Sequence, residues 1–229
     1  MKKIISVLFI ITGLVIIIYP KISENYHIYQ QEKFILEWQE NLSILNENNH
    51  SIPQSTDTTN PLNPIASSNT DSEKLLKKQQ ISKEKEENKK KQRATYIKKH
   101  MEGILKIEKI DLYLPILKNA TTKNLKISIA SINNTGKPGQ IGNYCIAGHR
   151  SHTYGQNFNR LDELVIGDII ETTDTATTYK YKVFDKFLVK PDETWVLTGK
   201  NIDKEITLIT CHPMLNPTQR LIIKGILIE

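Results

Sequence analysis

Residues 206–213 read ITLITCHP, a run of β-formers that ends on Cys211, one of only two cysteines in 229 residues, and breaks at Pro213. A second apolar run, RLIIKGILI, begins at Arg220. The connecting HPMLNPTQ carries two prolines that a central strand cannot hold, so the two runs read as a hairpin with a moderately long loop. Cys211 then closes one strand where Arg220 opens the next, which sets a thiol and a guanidinium at the same end of a sheet. A neighbouring cation lowers the pKa of a thiol and raises its thiolate fraction, the form that acts as a nucleophile.

Such a thiol needs a proton carrier, and the chain has six histidines. His27, His50 and His100 lie in the N-terminal half, away from the β-rich sequence. His212 is adjacent to Cys211, and neighbours on a strand point to opposite faces, so it is poorly placed to pair with that thiol. His152 falls in a loop. His149 ends the run NYCIAGH, so a histidine, a cysteine and an arginine each stand where a strand gives way to a loop.

Short β-rich runs separated by Gly, Pro, Asn and Asp fill the sequence from Met101 onward. Strands are expected at 103–107, 112–116, 143–149, 169–173, 178–189, 205–211 and 220–228, with short helices near 124–130 and 158–164. About seven short strands with turn signals between them argue for a mainly β sandwich or barrel. The net charge of +6 does not indicate nucleic acid, because residues 73–100 alone hold 11 Lys/Arg against 4 Asp/Glu and leave the remainder near −1. Two cysteines exclude a disulfide-dense scaffold and leave one bridge open, Cys145 to Cys211.

Residues 4–20, IISVLFIITGLVIIIYP, carry no charge and follow two lysines. Their length is at the short limit for a bilayer span, and no small-residue cleavage site follows, so residues 1–23 are expected to be an uncleaved membrane signal anchor. The paired lysines favour a cytoplasmic N-terminus, which places the rest of the chain outside the cell, held by a single membrane pass. Residues 24–100 are expected to form a juxtamembrane helix and a low-complexity charged linker, with an Asn/Ser/Thr/Pro stretch at 47–72 too poor in large apolar residues to fold.

TLITC at 207–211, AGHR at 147–150 and QRLIIKG at 219–225 resemble the pattern of the sortase family, and the likeness extends over residues 101–229 through GILKIEKIDLYLPI, KPGQIGN and FNRLDELVIGDII. The resemblance implies an eight-stranded β-barrel that forms the catalytic domain, preceded here by the transmembrane helix and polar linker. It also implies a cysteine transpeptidase that cleaves an LPxTG-like sorting signal of secreted proteins, holds the acyl fragment as a thioester, and passes it to an amine of the cell wall precursor. Within it Cys211 would be the nucleophile, His149 the general acid and base, and Arg220 the donor to the oxyanion. TCHPML after the cysteine differs from the TCTPYG of pilin-polymerising members, and AGHRSHTYGQNFNRLDEL is most similar to class D, with class A next.

No cofactor and no metal is expected. Some class A members use acidic residues ahead of the histidine-bearing strand to bind calcium, and here no acid falls between Asp111 and Asp162. The alternative reading is a non-catalytic extracellular β-barrel module held by a Cys145–Cys211 disulfide; it requires Cys211 to be oxidised, whereas the enzyme requires a free thiol.

Overall fold

The computed structural model describes residues 2–48, 70–153, 155–200 and 202–229. Most of the Asn/Ser/Thr/Pro stretch expected as a linker, residues 49–69, lies outside the described residues. By contact the chain divides into two units, residues 1–36 together with 100–229, and residues 37–99.

The juxtamembrane helix and the anchor expected ahead of it belong to one helix, α1, Lys2–Asn48. Among the described residues no helix is long and apolar enough to cross a membrane. The side chains of residues 2–4 and 6–9, which include five of the seventeen residues of the apolar run 4–20, are outside that description. α2, Thr70–His100, takes in the Lys/Glu run, and its residues 81–92 are all exposed, as a charged sequence with no apolar stripe requires. In the smaller unit Glu37 accepts an ion pair from Arg93 at 3.1 Å.

Eight strands follow: β1 Met101–Ile107, β2 Leu112–Leu117, β3 Ile129–Ser131, β4 Gly142–Ala147, β5 Ile169–Thr173, β6 Thr178–Val189, β7 Lys204–His212 and β8 Gln219–Leu227. They close into a barrel in the order β1-β2-β3-β4-β7-β8-β6-β5. Closure matters because an open sheet of this size would leave two rows of unpaired backbone groups. Seven of the strands match the apolar runs in the sequence. β3 is the exception: its residues were read as the end of a helix, but α3 spans only Thr122–Ile127 and the chain then turns into a three-residue strand parallel to β2. The expected helix at 158–164 is a single 3-10 turn, Leu161–Glu163.

Alternation along each strand fills the barrel. Tyr144 and Ile146 of β4, Ile206 and Leu208 of β7, and Leu221 and Ile223 of β8 all point inward into one cluster. The intervening residues face outward, and on β4, β7 and β8 that outer face is also buried. Asn143, Cys145, Glu205, Thr207 and Ile222 are each at most 2% exposed.

The cover is the connection from β6 to β7. Its 3-10 turn, Thr194–Leu197, packs Val196 on Val189 and Ile222. Polar groups pin it as well. Asn143 Nδ2 donates to Val196 O at 2.9 Å while its Oδ1 accepts from Thr207 Oγ1 at 2.7 Å. A Cβ on Gly199 would come within 2.8 Å of the Asn143 backbone nitrogen, so this close approach needs glycine.

Beneath the same cover Lys224 Nζ lies 2.6 Å from Glu205 Oε2, with side-chain exposures of only 12% and 1%. A buried pair is costly to break from one side, because the remaining charge is left without a partner. Lys224→Met should therefore lower the unfolding free energy by about 3–5 kcal/mol, and the double variant Glu205→Gln/Lys224→Met by clearly less, as read by urea denaturation. Equal losses in the single and double variants would count against a tight buried pair.

Candidate active site

The strand ladders pair two of the three predicted site residues and run toward the third. β7 and β8 are antiparallel, and Cys211 is the register partner of Arg220. β4 and β7 are parallel, with Cys145 opposite Thr207 and Ala147 opposite Ile209. The paired register ends there; extended by two residues it would set His149 opposite Cys211.

The sequence reading took the strand through to His149, whereas the ladder stops at Ala147 and His149 is exposed at the start of a loop. The intervening Gly148 keeps the register. Its N–H donates to Ile209 O at 3.0 Å, and its carbonyl accepts from Thr210 Oγ1 at 2.8 Å. These are the two residues ahead of Cys211, so the second threonine of the TLITC run, Thr210, has a definite task. Gly148 also has no room for a side chain: a Cβ there would approach Phe158 Cδ2 to 2.7 Å and Ile129 Cγ2 to 2.8 Å, both in the packed interior.

Alternation then settles the faces. Asn143 and Cys145 share the outer face of β4, as do Thr207, Ile209 and Cys211 on β7, and Arg220, Ile222 and Lys224 on β8. The half-buried Cys211 thus stands beside a packed apolar cluster of Val189, Val196 and Ile222, with Ile209 and Leu197 against it. Trp195, next to Val196 in the chain and largely exposed, stacks on Phe187 with ring centroids 5.6 Å apart. Arg220 is partly buried, and its Nη1 donates to Gln219 O at 3.0 Å. A guanidinium carries five N–H groups, so one such bond leaves most of its donor capacity for a ligand.

The disulfide alternative fails on geometry. Both cysteines are free. Cys145 sits opposite Thr207, four residues short of Cys211 along β7, which is about 13 Å at the usual rise per residue, whereas a disulfide needs Cα atoms within about 7 Å. Cys145 is instead a buried thiol. Burial pushes it up to about 12 despite the nearby Lys224 and hydrogen bonds from Thr207 and Thr135.

The remaining histidines separate clearly. His152 is exposed in the loop after His149. His212 is paired in the ladder with Gln219, on the face opposite that of Cys211, as the sequence reading expected. That reading missed its partner: Arg150 Nη1 lies 2.8 Å from His212 Nδ1. Arg150 also pairs with Asp162. Only the arginine of AGHR hinted at this in the sequence.

The fold and the Cys211–Arg220 pair define a closed β-barrel protein with a free, half-buried thiol near a strand end. The chain belongs to the sortase domain family, whose model matches residues 105–228, just over half of its length. It is 34% identical over 135 residues to sortase A of Bacillus anthracis, which covers 59% of this chain and 63% of that relative, a little under two thirds of its length. Two solved structures are also similar. The sortase D5 transpeptidase of Clostridium perfringens is 32% identical at a TM-score of 0.52, covering 56% of this chain and 79% of its own. A sortase C of the same organism, solved with the C-terminal cell wall sorting motif, is 26% identical at 0.54, covering 57% and 72%.

Two outcomes follow from the site geometry. Iodoacetamide at pH 8 should modify one cysteine per folded chain, Cys211, because the Cys145 thiol is buried and stays protonated; mass spectrometry of the digest reads this, and modification of Cys145 at a comparable rate would contradict it. Gly148→Ala should displace the His149 segment against Phe158 and cut peptide cleavage on the order of 10²-fold, since a shift of about 1 Å suffices for such a loss. Cleavage within a few-fold of the parent would show that the close packing at Gly148 does not set the site.

Proposed function

We propose that this chain is a membrane-anchored cysteine transpeptidase that cleaves an LPxTG-like sorting signal and transfers the released acyl group to a cell wall amine. The observation that carries it is the pairing of Cys211 with Arg220 at the end of the β7–β8 ladder, with the β4–β7 register running toward His149. The Cys211 thiolate attacks the carbonyl of the scissile peptide bond, and the Arg220 guanidinium donates to the oxygen as it becomes negative. Protonated His149 gives its proton to the leaving amine, the C–N bond breaks and a thioester remains on Cys211. An incoming amine then attacks the thioester, His149 takes up its proton, and the cysteine leaves as thiolate. Proton and bond changes balance over the two halves with no cofactor.

Each element of this reading has its own support. One of the similar structures, a sortase C solved with the C-terminal cell wall sorting motif, supports a substrate of that kind. The uncharged residues 4–20 behind Lys2 and Lys3 support a single-pass anchor with the barrel outside the cell, where wall amines are. Likeness to a sortase D5 and to a sortase A supports class D, with class A next.

The test is turnover of a peptide panel varied around LPxTG, with cleavage and transfer to an added amine measured separately. Cys211→Ala and His149→Ala should each be essentially inactive in both. Arg220→Lys keeps the charge but not the planar fork of donors, so it should lose on the order of 10²-fold. Strong activity in His149→Ala, or near-parent activity in Arg220→Lys, would overturn the assigned roles.

A further inference from the structure

The chemistry above uses three residues and leaves a buried cation in their midst unexplained. Arg150 directly follows His149, yet its side chain is only 6% exposed. An isolated buried guanidinium is strongly unfavourable, so its partners must matter. One terminal nitrogen pairs with Asp162 of the 3-10 turn Leu161–Glu163, and the other lies 2.8 Å from His212 Nδ1. A guanidinium has donors only, so Nδ1 of His212 is the acceptor in this contact.

The placement of this chain of contacts gives it meaning. Asp162, Arg150 and His212 belong to three separate segments, and two of these residues are immediate neighbours of the proposed acid and nucleophile. Up to Gly148 the His149 segment is bonded to β7 by backbone contacts, but beyond it the chain bonds mostly to itself. Arg150 bridges to Asn157, and Phe158 N donates to His149 O. Among the described contacts from this loop to the end of β7 and the turn after it, one is a weak approach of Asn159 Nδ2 to Met214 sulfur at 3.9 Å. The other is the bond from Arg150 to His212. The segment that carries His149 is therefore tied to β7 on one side by the Gly148 bonds and on the other by a guanidinium.

We propose that Arg150 is a positioning residue, anchored by Asp162, that holds the His149 segment to the end of β7 through the Nδ1 atom of His212 and so keeps the imidazole of His149 in reach of the Cys211 sulfur. This rests on the transpeptidase reading for its consequence in turnover. The fork geometry is essential to it. A single ammonium can meet Asp162 or His212, whereas the guanidinium meets both in one plane.

The variants that separate this from general structural support are at both ends of the bond. Asparagine places its carbonyl oxygen near the position of Nδ1, whereas glutamine reaches the position of Nε2. Purified parent, Arg150→Met, Arg150→Lys, His212→Asn and His212→Gln would be compared for kcat and KM on an LPxTG peptide, and for the rate of Cys211 alkylation by iodoacetamide at fixed pH. Arg150→Met should lower kcat on the order of 10²-fold with KM changed by less than about threefold, because the loss is of alignment and not of binding. Arg150→Lys should fall between it and the parent. His212→Asn should keep kcat and alkylation rate within about threefold of the parent, while His212→Gln should lose about tenfold or more in both.

Equal behaviour of the two His212 variants, or a kcat for Arg150→Met within about threefold of the parent, would overturn the proposal. If Arg150→Met fails to fold, the His212 pair decides. If the parent itself cleaves none of the peptides, the transpeptidase reading fails, and alkylation alone still reads the positioning, since the neighbouring imidazole governs thiol reactivity.

Discussion

The parallel ladder between β4 and β7 is the constraint on which the rest of the structure depends. Its strands come from distant parts of the chain, Gly142–Ala147 and Lys204–His212, and its register fixes which residues of one lie beside which of the other. Because side chains alternate with a period of two, a slip of one residue would turn His149 away from Cys211 and move the core residues Tyr144 and Ile146 to the outer face. The buried interior therefore enforces the register that the site uses. The antiparallel ladder to β8 adds Arg220 under the same constraint.

The outer face of those three strands is covered as carefully as the inner one, and this sets the chemistry of its two thiols apart. Cys145, beneath the β6–β7 connection, has its sulfur 3.7 Å from Leu197 O and is fully buried, which keeps it protonated and unreactive. Cys211, four residues along on the same face, emerges where the cover ends. Proteins with one working thiol gain from such a separation, because a second accessible cysteine within reach could trap the first as a disulfide. The turn that buries Cys145 also packs Val196 on Val189 and Ile222, so one loop both shields a thiol and seals the outer face.

Much of this was legible in the sequence, and the parts that were not share a physical reason. The strands expected at 205–211 and 220–228 announce themselves through alternation and β-branched residues, and the proline-bearing loop between them sets Cys211 and Arg220 at the same end of a sheet, where the ladder pairs them. β3 was misread because Ile129–Ser131 is three residues long, too short for any period, and follows directly on a helical turn. His149 was placed at a strand end where the structure has it two residues beyond; the extended run NYCIAGH does not show that the ladder gives out at Ala147. The disulfide between Cys145 and Cys211 stayed open in the sequence because spacing along a chain says nothing of register across strands. The contacts of Arg150 were invisible for the same reason, since its partners Asp162 and His212 lie 12 and 62 residues away.

The central claim is the register that puts residue 149 beside residue 211, and a crosslink reads it without reference to activity. Neighbouring strands are about 4.8 Å apart, within the range of Cα separations a disulfide spans. In the variant His149→Cys/Cys145→Ala, mild oxidation of the folded protein should consume both thiols and give a single digest product joining the peptides that carry positions 149 and 211. Two thiols that remain free under oxidation in the folded variant would contradict the account.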